Sequence, residues 1–243
     1  MAYGTSASAV AYGGRNLRDA PAYGIPEAAR YLVIPPSTLA SWAIGQDYKY
    51  QGKIRRFEPV FEIADPERRL LSFTNVCEAH VCKALRSSHG FPLQHVRRAI
   101  SVLSGLFPNS KHPLVDHNLS VFGRDLWVKR LENDEVINLT TQGQTAFREF
   151  LDLYLERVEY DRDELSRLFP FTWTGANHNA PRIVMLDPGI LSGRPVIRDS
   201  RIATSVVYER WAAGESIEAL ADDYGRQPDE IQEALRCETA RAA

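Results

Sequence analysis

The sequence lacks the features that mark several large classes of protein. No apolar run in its 243 residues approaches the ~20 residues that a membrane-spanning helix needs. Its three cysteines, Cys77, Cys82 and Cys237, are odd in number and form no CxxC pair, which argues against disulfides and a zinc site and favours a reducing cytoplasm. Residues 1–20 lack a basic start followed by an apolar stretch, so they predict a disordered tail rather than a secretion signal.

Motifs of catalysis and phosphate binding are also missing. The chain has no GxGxxG, GxxxxGK[ST] or GxSxG pattern, and its histidines form no HExxH motif. Each histidine is expected to be a helix-surface, loop or partly buried residue. We therefore predict that the chain is not an enzyme, has no catalytic residues, and holds neither a metal ion nor a cofactor.

Charge is unevenly distributed along the chain. Residues 1–111 hold 14 Lys and Arg against 8 Asp and Glu, a balance of +6, whereas residues 112–243 hold 15 against 23, a balance of −8. A basic front half could face a polyanion, and an acidic back half would be repelled by one. The two halves are therefore expected to have different partners.

The front half predicts a small DNA-binding module over residues 21–110. A helix over 25–32 and a second one that begins with a Ser37 cap have helix-turn-helix spacing. Small polar residues of the second helix could contact base edges, and these are Ser37, Thr38 and Ser41. A hairpin around Gly52 would then be a wing whose cations contact phosphates, namely Lys49, Lys53, Arg55 and Arg56. The alternative is that Ser37 only caps its helix and the hairpin is a solvated sheet edge.

The rest of that module and the middle of the chain have weaker patterns. Thr74 is predicted to cap a helix that runs to about Ser87, and another helix follows residue 93. Over residues 111–170 we expect short strands at 119–122, 126–129 and 136–139, then a long amphipathic helix from Thr140 or Thr141 to Pro170. This region could support dimerisation, and residues 171–181 are expected to be a linker.

The last module, residues 182–243, is predicted to be a small β element followed by three helices. The fold class is therefore mainly α with small β elements, α+β. Three arginines, Arg194, Arg198 and Arg201, crowd the segment 182–202, where a planar guanidinium could bind carboxylate or phosphate. Because the third helix is acidic, a protein partner or self-association is favoured over DNA.

Two parts of the chain resemble known families. Residues 182–237 resemble the domain of unknown function 433 of bacterial antitoxins, through Asp187-Pro-Gly-Ile190, Gly193-Arg-Pro-Val-Ile-Arg198 and Ala213-Gly-Glu-Ser-Ile-Glu218. That family usually has Gly-Thr where this chain has Asp199 and Ser200. Residues 23–103 are similar to MerR-like winged helix-turn-helix regulators, through Ile25-Pro-Glu-Ala-Ala29, Ser37-Thr-Leu39, Trp42 and Gly90-Phe-Pro-Leu93.

The combined arrangement resembles VapB-type antitoxins. That resemblance implies a PIN-domain ribonuclease toxin as partner, operator DNA as ligand, repression of the shared operon, and a homodimer that reads paired half-sites. An arginine of the antitoxin could satisfy the toxin's metal-binding carboxylates, and the candidates are Arg194, Arg198, Arg201 and Arg241. Two alternatives stay open. Arg198 and Arg201 could be internal braces to Asp187, Asp199 or Asp223, or the chain could be a stand-alone MerR-like regulator whose C-terminal domain senses a ligand or dimerises.

Overall fold

The computed structural model describes residues 16–87, 93–117, 149, 151–173 and 179–240. These ranges are mainly helical with four two-stranded antiparallel sheets, which confirms the predicted fold class. None of the described helices is both long enough and apolar enough to cross a membrane. The helices are α1 (Ile25–Leu32), α2 (Pro36–Ile44), α3 (Phe73–Ser87), α4 (Leu93–Leu106), α5 (Thr204–Ala212), α6 (Ile217–Tyr224) and α7 (Pro228–Thr239). The strands are β1 (Tyr23–Gly24), β2 (Gln46–Tyr50), β3 (Lys53–Phe57), β4 (Leu70–Leu71), β5 (Val158–Asp161), β6 (Glu164–Leu168), β7 (Val184–Met185) and β8 (Val196–Ile197).

Helices α1 and α2 form the predicted helix-turn-helix. Pro26 and Glu27 lie in the first turn of α1, where the fixed φ of proline and a carboxylate near the positive end of the helix dipole are favourable. The chain leaves α1 at Val33, whose φ is +51°. The predicted Ser37 cap is wrong, because Pro35 occupies the N-cap position of α2 and Pro36, which needs no N–H partner, begins the helix.

Helix α3 is capped by Ser72 and not, as predicted, by Thr74. Ser72 Oγ accepts a hydrogen bond from the Asn75 amide at 3.1 Å, and Asn75 Oδ1 accepts one from the Ser72 amide at 3.1 Å. This reciprocal pair satisfies two amides at the start of the helix. Thr74 instead donates to Asp19 Oδ1 at 2.6 Å and its amide donates to the Arg18 carbonyl, so the described part of the predicted tail packs against α3.

The predicted long helix of the middle region ends earlier than Pro170, and that part of the prediction is wrong. Residues 151–155 are helical, but β5 and β6 then form a hairpin whose turn residues, Arg162 and Asp163, have φ of +50° and +66°. Positive φ at both turn positions suits a tight hairpin. Val158 fits the helical repeat, yet it faces the core from a strand. The three short strands predicted between 119 and 139, and the predicted helix start at residue 140 or 141, lie outside the described residues.

The C-terminal module has the predicted order of elements. Val184 pairs with Ile197 across β7 and β8, and Asp187 closes the turn that follows β7. Ser216 caps α6 as expected, since its Oγ accepts a hydrogen bond from the Ala219 amide at 3.1 Å. Asp199 has a φ of +55°, which explains why the related domains place glycine at this turn and why aspartate, which tolerates that conformation, replaces it.

One hydrophobic core joins the front and middle regions, and a smaller one lies within the C-terminal helices. The first core runs from Tyr23 to Leu186 in sequence, and the second includes Val207, Leu220 and Ile231. Leu168 of β6 and Leu186 exchange backbone hydrogen bonds at 2.8 and 3.0 Å. These bonds connect the middle region to the start of the C-terminal module.

Buried Arg157 contacts both described ends of the segment that is predicted to be a linker. Its guanidinium donates to the carbonyls of Phe169 (3.2 Å), Ala180 (2.5 Å) and Pro181 (3.4 Å), and it lies 3.9 Å from the Phe171 ring centroid. Burial lowers the pKa of Arg157 to about 10, a value at which the side chain stays charged at neutral pH. The two described ends of residues 171–181 are therefore held against the core.

The C-terminal module packs against α1. The Tyr23 hydroxyl donates to the Gly193 carbonyl at 2.9 Å, and Arg30 of α1 forms an ion pair with Glu238 of α7. Gly193 has a φ of +80°, and a Cβ at this position would overlap the Tyr23 hydroxyl. Only glycine therefore permits this close approach between the two modules.

Candidate functional site

The candidate nucleic-acid interface consists of the start of α2 and the β2–β3 hairpin, which we call the wing. The wing turns at Gln51 and Gly52, whose φ of +49° and +76° match the twist of a tight hairpin. Gly45 separates α2 from the wing, and any Cβ there would overlap the Phe57 carbonyl. The backbone thus places the wing directly after the second helix of the helix-turn-helix.

The wing register gathers cations and aromatic rings on one face. Tyr50 lies opposite Lys53, and Tyr48 lies opposite Arg55, and directly opposed residues share a face of an antiparallel sheet. The Arg55 guanidinium lies 4.8 Å from the Tyr50 ring centroid. Within the described ranges Lys53 and Arg55 have no carboxylate partner, so both charges remain available to phosphates.

The opposite face carries the other two predicted cations, and they differ. Lys49 is exposed and lies opposite Ile54, which is 74% exposed. Arg56 instead donates to the Ile44 carbonyl at 2.9 Å and forms an ion pair with Asp47 at 3.3 Å. Arg56 therefore braces the wing to the end of α2, and its charge is partly compensated.

The three polar residues predicted on α2 also divide. Ser37 is exposed and Thr38 is half-buried, so both can meet a ligand at the start of the helix. Ser41 is only 9% exposed, and its Oγ donates to the Thr38 carbonyl at 3.0 Å. Because the hydroxyl is directed back to its own helix, Ser41 could contact a base only by giving up this hydrogen bond.

Sequence reasoning missed two cations beside the start of α2. Lys83 and Arg86 of α3 line a cavity together with Thr38 and Trp42. Lys83 Nζ donates to the Leu32 carbonyl at 2.8 Å, and burial lowers its pKa to about 8. Their i, i+3 spacing placed them on one face of a predicted helix, but only the fold shows that this face meets α2.

The base of the wing is held by a third cation that the sequence did not single out. The Tyr48 and Phe57 rings stack at 4.0 Å between centroids, and the Arg97 guanidinium lies 5.2 Å from the Phe57 centroid. Arg97 also donates to the Glu58 carbonyl. These contacts give the wing a fixed aromatic base and add positive charge near it.

Three arginines of segment 182–202, Arg194, Arg198 and Arg201, have different surroundings. Arg194 forms an ion pair with Glu27 of α1, a carboxylate that was not among the expected partners. Arg198 Nε lies 3.4 Å from Asp199 Oδ2, as the brace alternative expected, and its guanidinium lies 5.4 Å from the Phe169 centroid. Arg201 is exposed and has no ion-pair partner among the described residues. Arg241 lies outside those residues.

The other two carboxylates considered as braces pair elsewhere. Asp187 Oδ2 lies 3.4 Å from Arg167 Nε, and Asp223 accepts a hydrogen bond from Arg210 Nη1 at 2.5 Å. Neither carboxylate is thus paired with an arginine of segment 182–202 in the structure.

Buried titratable groups in the described chain are structural in character. Cys77, Cys82 and Cys237 are free and buried, and burial raises the pKa of each thiol. His80 is buried, unlike the expected surface or partly buried histidine; burial lowers its pKa to about 3, and its Nε2 lies 3.2 Å from the Tyr154 carbonyl. Over the described residues, no group of three or more His, Cys, Asp and Glu side chains is placed to hold a metal ion.

Two family models match the chain. One, described as "Putative DNA-binding HTH domain", matches residues 21–100, and the other, described as "Protein of unknown function (DUF433)", matches residues 184–236. The first match contains α2 and the wing, and the second contains Arg194, Arg198 and Arg201.

Proteins of known sequence or structure resemble both modules together. A protein of Mycobacterium tuberculosis (strain ATCC 25618 / H37Rv) named "Putative antitoxin VapB45" is 29% identical over 232 residues, which are 89% of this chain and 93% of that protein. The crystal structure of Rv2018 from Mycobacterium tuberculosis aligns with a TM-score of 0.63 at 25% identity, over 89% of this chain and 97% of that one. The chain is thus similar, over both modules together, to a protein named as a VapB antitoxin, and it contains a match to a helix-turn-helix DNA-binding domain followed by a match to DUF433.

Proposed function

We propose that this chain is the antitoxin of a type II toxin–antitoxin system. It neutralises a PIN-domain ribonuclease toxin in the cytoplasm and binds operator DNA to repress its own operon. The single observation that carries the DNA-binding half is the wing, where Lys49, Lys53 and Arg55 stand exposed on the hairpin that directly follows α2. The antitoxin half is supported by similarity across both domains to a protein named as an antitoxin.

The geometry supports a specific division of work on DNA. Helix α2 enters the major groove, with Ser37 and Thr38 near base edges, while the wing cations contact backbone phosphates. Arg56 acts on DNA only indirectly, since it holds the wing in place. A homodimer would present two such units to paired half-sites.

In this proposal the C-terminal domain binds the toxin. A PIN nuclease holds its metal in a cluster of carboxylates, which an arginine fork can satisfy. Among the candidates that the structure describes, Arg201 could bind the toxin's carboxylates without breaking an internal ion pair. Arg241 remains a candidate as well. Arg194 and Arg198 would first exchange Glu27 and Asp199 for the toxin's carboxylates.

Co-expression tests both halves of this proposal. The chain is purified with the PIN-domain ribonuclease that this proposal expects to be encoded beside it, and the complex is assayed for RNA cleavage and for binding to the DNA upstream of the operon. We expect a stable complex that cleaves RNA more slowly than the free ribonuclease and prefers the upstream DNA to a scrambled duplex. A complex with undiminished RNA cleavage would refute the antitoxin half, and equal affinity for both duplexes would refute the repressor half.

A further inference from the structure

Helix α5 of the C-terminal domain has a wide uncovered side. Its contact with the domain core is made by Thr204 and Val207, both fully buried. Around the remainder of the helix, Val206, Tyr208 and Trp211 are 44%, 36% and 42% exposed. We call this exposed side the α5 face; it consists of Ser205, Val206, Tyr208, Glu209, Trp211 and Ala212.

The α5 face has the composition of a protein-binding surface. Tyr208 and Trp211 are three residues apart, and their ring centroids lie 6.0 Å from each other, so they form a single aromatic ridge. Large aromatic side chains with a polar tip dominate the energetics of protein interfaces. Ser205 and Ala212 are small, which lets a partner approach the helix closely. Glu209 is the single charged residue of the face.

The charges around the α5 face are unbalanced. Each arginine between the start of α5 and the end of α7 has a partner: Arg210 binds Glu215 and Asp223, while Arg226 and Arg236 form ion pairs with Glu230 and Glu233. By contrast, three exposed carboxylates on α5 and α6 have no cation partner among the described residues, and these are Glu209, Glu218 and Asp222. The free charge of this part of the domain is therefore negative.

That imbalance decides between two occupants of the face. A second copy of the chain, packed about a two-fold axis at the middle of α5, would bring Glu209 against its own equivalent. Like charges facing each other at an interface oppose association. A partner that carries lysine or arginine would instead pair with Glu209 while it covers Tyr208 and Trp211.

A ribonuclease has such a surface, because the side that holds RNA must attract phosphates. We propose that the α5 face docks on the basic, RNA-binding side of the ribonuclease, which rests on the proposed antitoxin function. The aromatic ridge then provides the buried centre of the interface, and the carboxylates provide its electrostatic complement. Binding in this way excludes RNA from the enzyme by direct competition.

Two variants test the proposal against a matched control. Tyr208→Ala with Trp211→Ala removes the ridge, and Glu209→Lys reverses the central charge. Because these side chains are exposed, we expect both variants to fold and to bind operator DNA like the wild type. The control is Leu191→Ala, an exposed apolar residue of the same domain that is 41% exposed and lies outside α5.

Affinity for the ribonuclease encoded beside this gene is measured by calorimetry. We expect the double variant to bind at least about 30-fold more weakly, Glu209→Lys to bind at least about tenfold more weakly, and Leu191→Ala to bind like the wild type. A non-cleavable single-stranded oligonucleotide should compete with the wild-type chain for the ribonuclease.

The possible failures are distinguishable. If the wild type binds and inhibits the ribonuclease but both α5 variants bind equally well, the α5 face is not the docking site, and the proposed function stands. If the variants convert a wild-type dimer into a monomer and keep their ribonuclease affinity, the face belongs to a second copy. If the wild type does not bind the ribonuclease, the proposed function itself is wrong.

Discussion

Removal of two wing cations should change how strongly salt weakens DNA binding. Lys53 and Arg55 lie on one face of the wing without a carboxylate partner in the described chain. If both contact phosphates, the variant Lys53→Ala with Arg55→Ala gives up two sites from which counterions are released on binding. The variant should therefore bind operator DNA more weakly at low salt and lose less affinity as salt is added.

The expected magnitude follows from the number of phosphate contacts. Each contact contributes about −0.9 to the slope of log K against log salt concentration, so two contribute about −1.8. A fourfold rise in salt, from about 50 to about 200 mM, should then cost the wild type about 12-fold more affinity than the variant. Such a difference is well within the reach of a fluorescence-anisotropy titration.

A charge-matched control separates local contacts from overall charge. Arg162→Gln with Arg201→Gln also removes two exposed cations, but both lie outside the helix-turn-helix domain. We expect this control to keep the wild-type slope. If the wing variant has the same slope as the wild type, Lys53 and Arg55 do not contact phosphates; if the control flattens the slope equally, only net charge matters.

Three further predictions concern other parts of the molecule. Arg30→Met leaves the largely buried carboxylate of Glu238 without its cation and should lower the free energy of unfolding by about 1–3 kcal/mol; an unchanged urea midpoint would show that the pair does not stabilise the docked domains. Although burial lowers the pKa of His112, the Glu78 carboxylate, 3.1 Å from His112 Nδ1, raises it overall, so the pair stabilises the fold fully below the ordinary histidine pKa of about 6.5 and less as pH rises through the raised value. Stability should thus fall from pH 6 to pH 8 more steeply in the wild type than in His112→Gln, and parallel urea midpoints would contradict this linkage. Ser41→Ala should leave operator affinity unchanged in a gel-shift titration, since the hydroxyl bonds within its own helix; a clear loss of affinity would restore Ser41 as a DNA contact.

Elements defined by local chemistry could be predicted from the sequence. The helix over Ile25–Leu32, the wing around Gly52 and the cap at Ser216 all follow from residues whose preferences are expressed within a few positions. The caps of α2 and α3 were misplaced because several neighbouring residues could serve. Pro35 and Pro36 precede Ser37, and Ser72 competes with Thr74.

The β5–β6 hairpin shows why the middle region was harder to predict. Leu151, Tyr154, Leu155 and Val158 are all buried at helical spacing, but Val158 belongs to the next element. A short strand that continues an apolar helical repeat cannot be distinguished from the helix by periodicity. The turn residues Arg162 and Asp163 adopt positive φ without glycine, so the usual turn signal is absent.

Contacts between domains could not be predicted, because they join residues far apart in sequence. The pairs Arg194–Glu27 and Arg30–Glu238 each cross more than 160 residues. Nearby aspartates were reasonable partners for the arginines of segment 182–202 on proximity in sequence alone. The partner of Arg194, however, is Glu27 on α1. Lys83 and Arg86 were missed for the same reason, because their closeness to α2 depends on how α3 packs in the fold.

The internal partners of the arginines also determine how readily each arginine could bind a carboxylate of the toxin instead. The Arg194–Glu27 pair is solvent-accessible on the arginine side, where the side chain is 54% exposed, and pairs of this kind contribute at most about 1 kcal/mol. Arg157, in contrast, is buried among three backbone carbonyls that would lose their donor if it moved. A toxin carboxylate could therefore replace Glu27 at little cost, whereas it could not extract Arg157. Because Glu27 lies in the first turn of α1, and α1 packs against helix α2, which we propose contacts DNA, such an exchange at Arg194 would also alter a contact that holds the C-terminal domain to the DNA-binding domain.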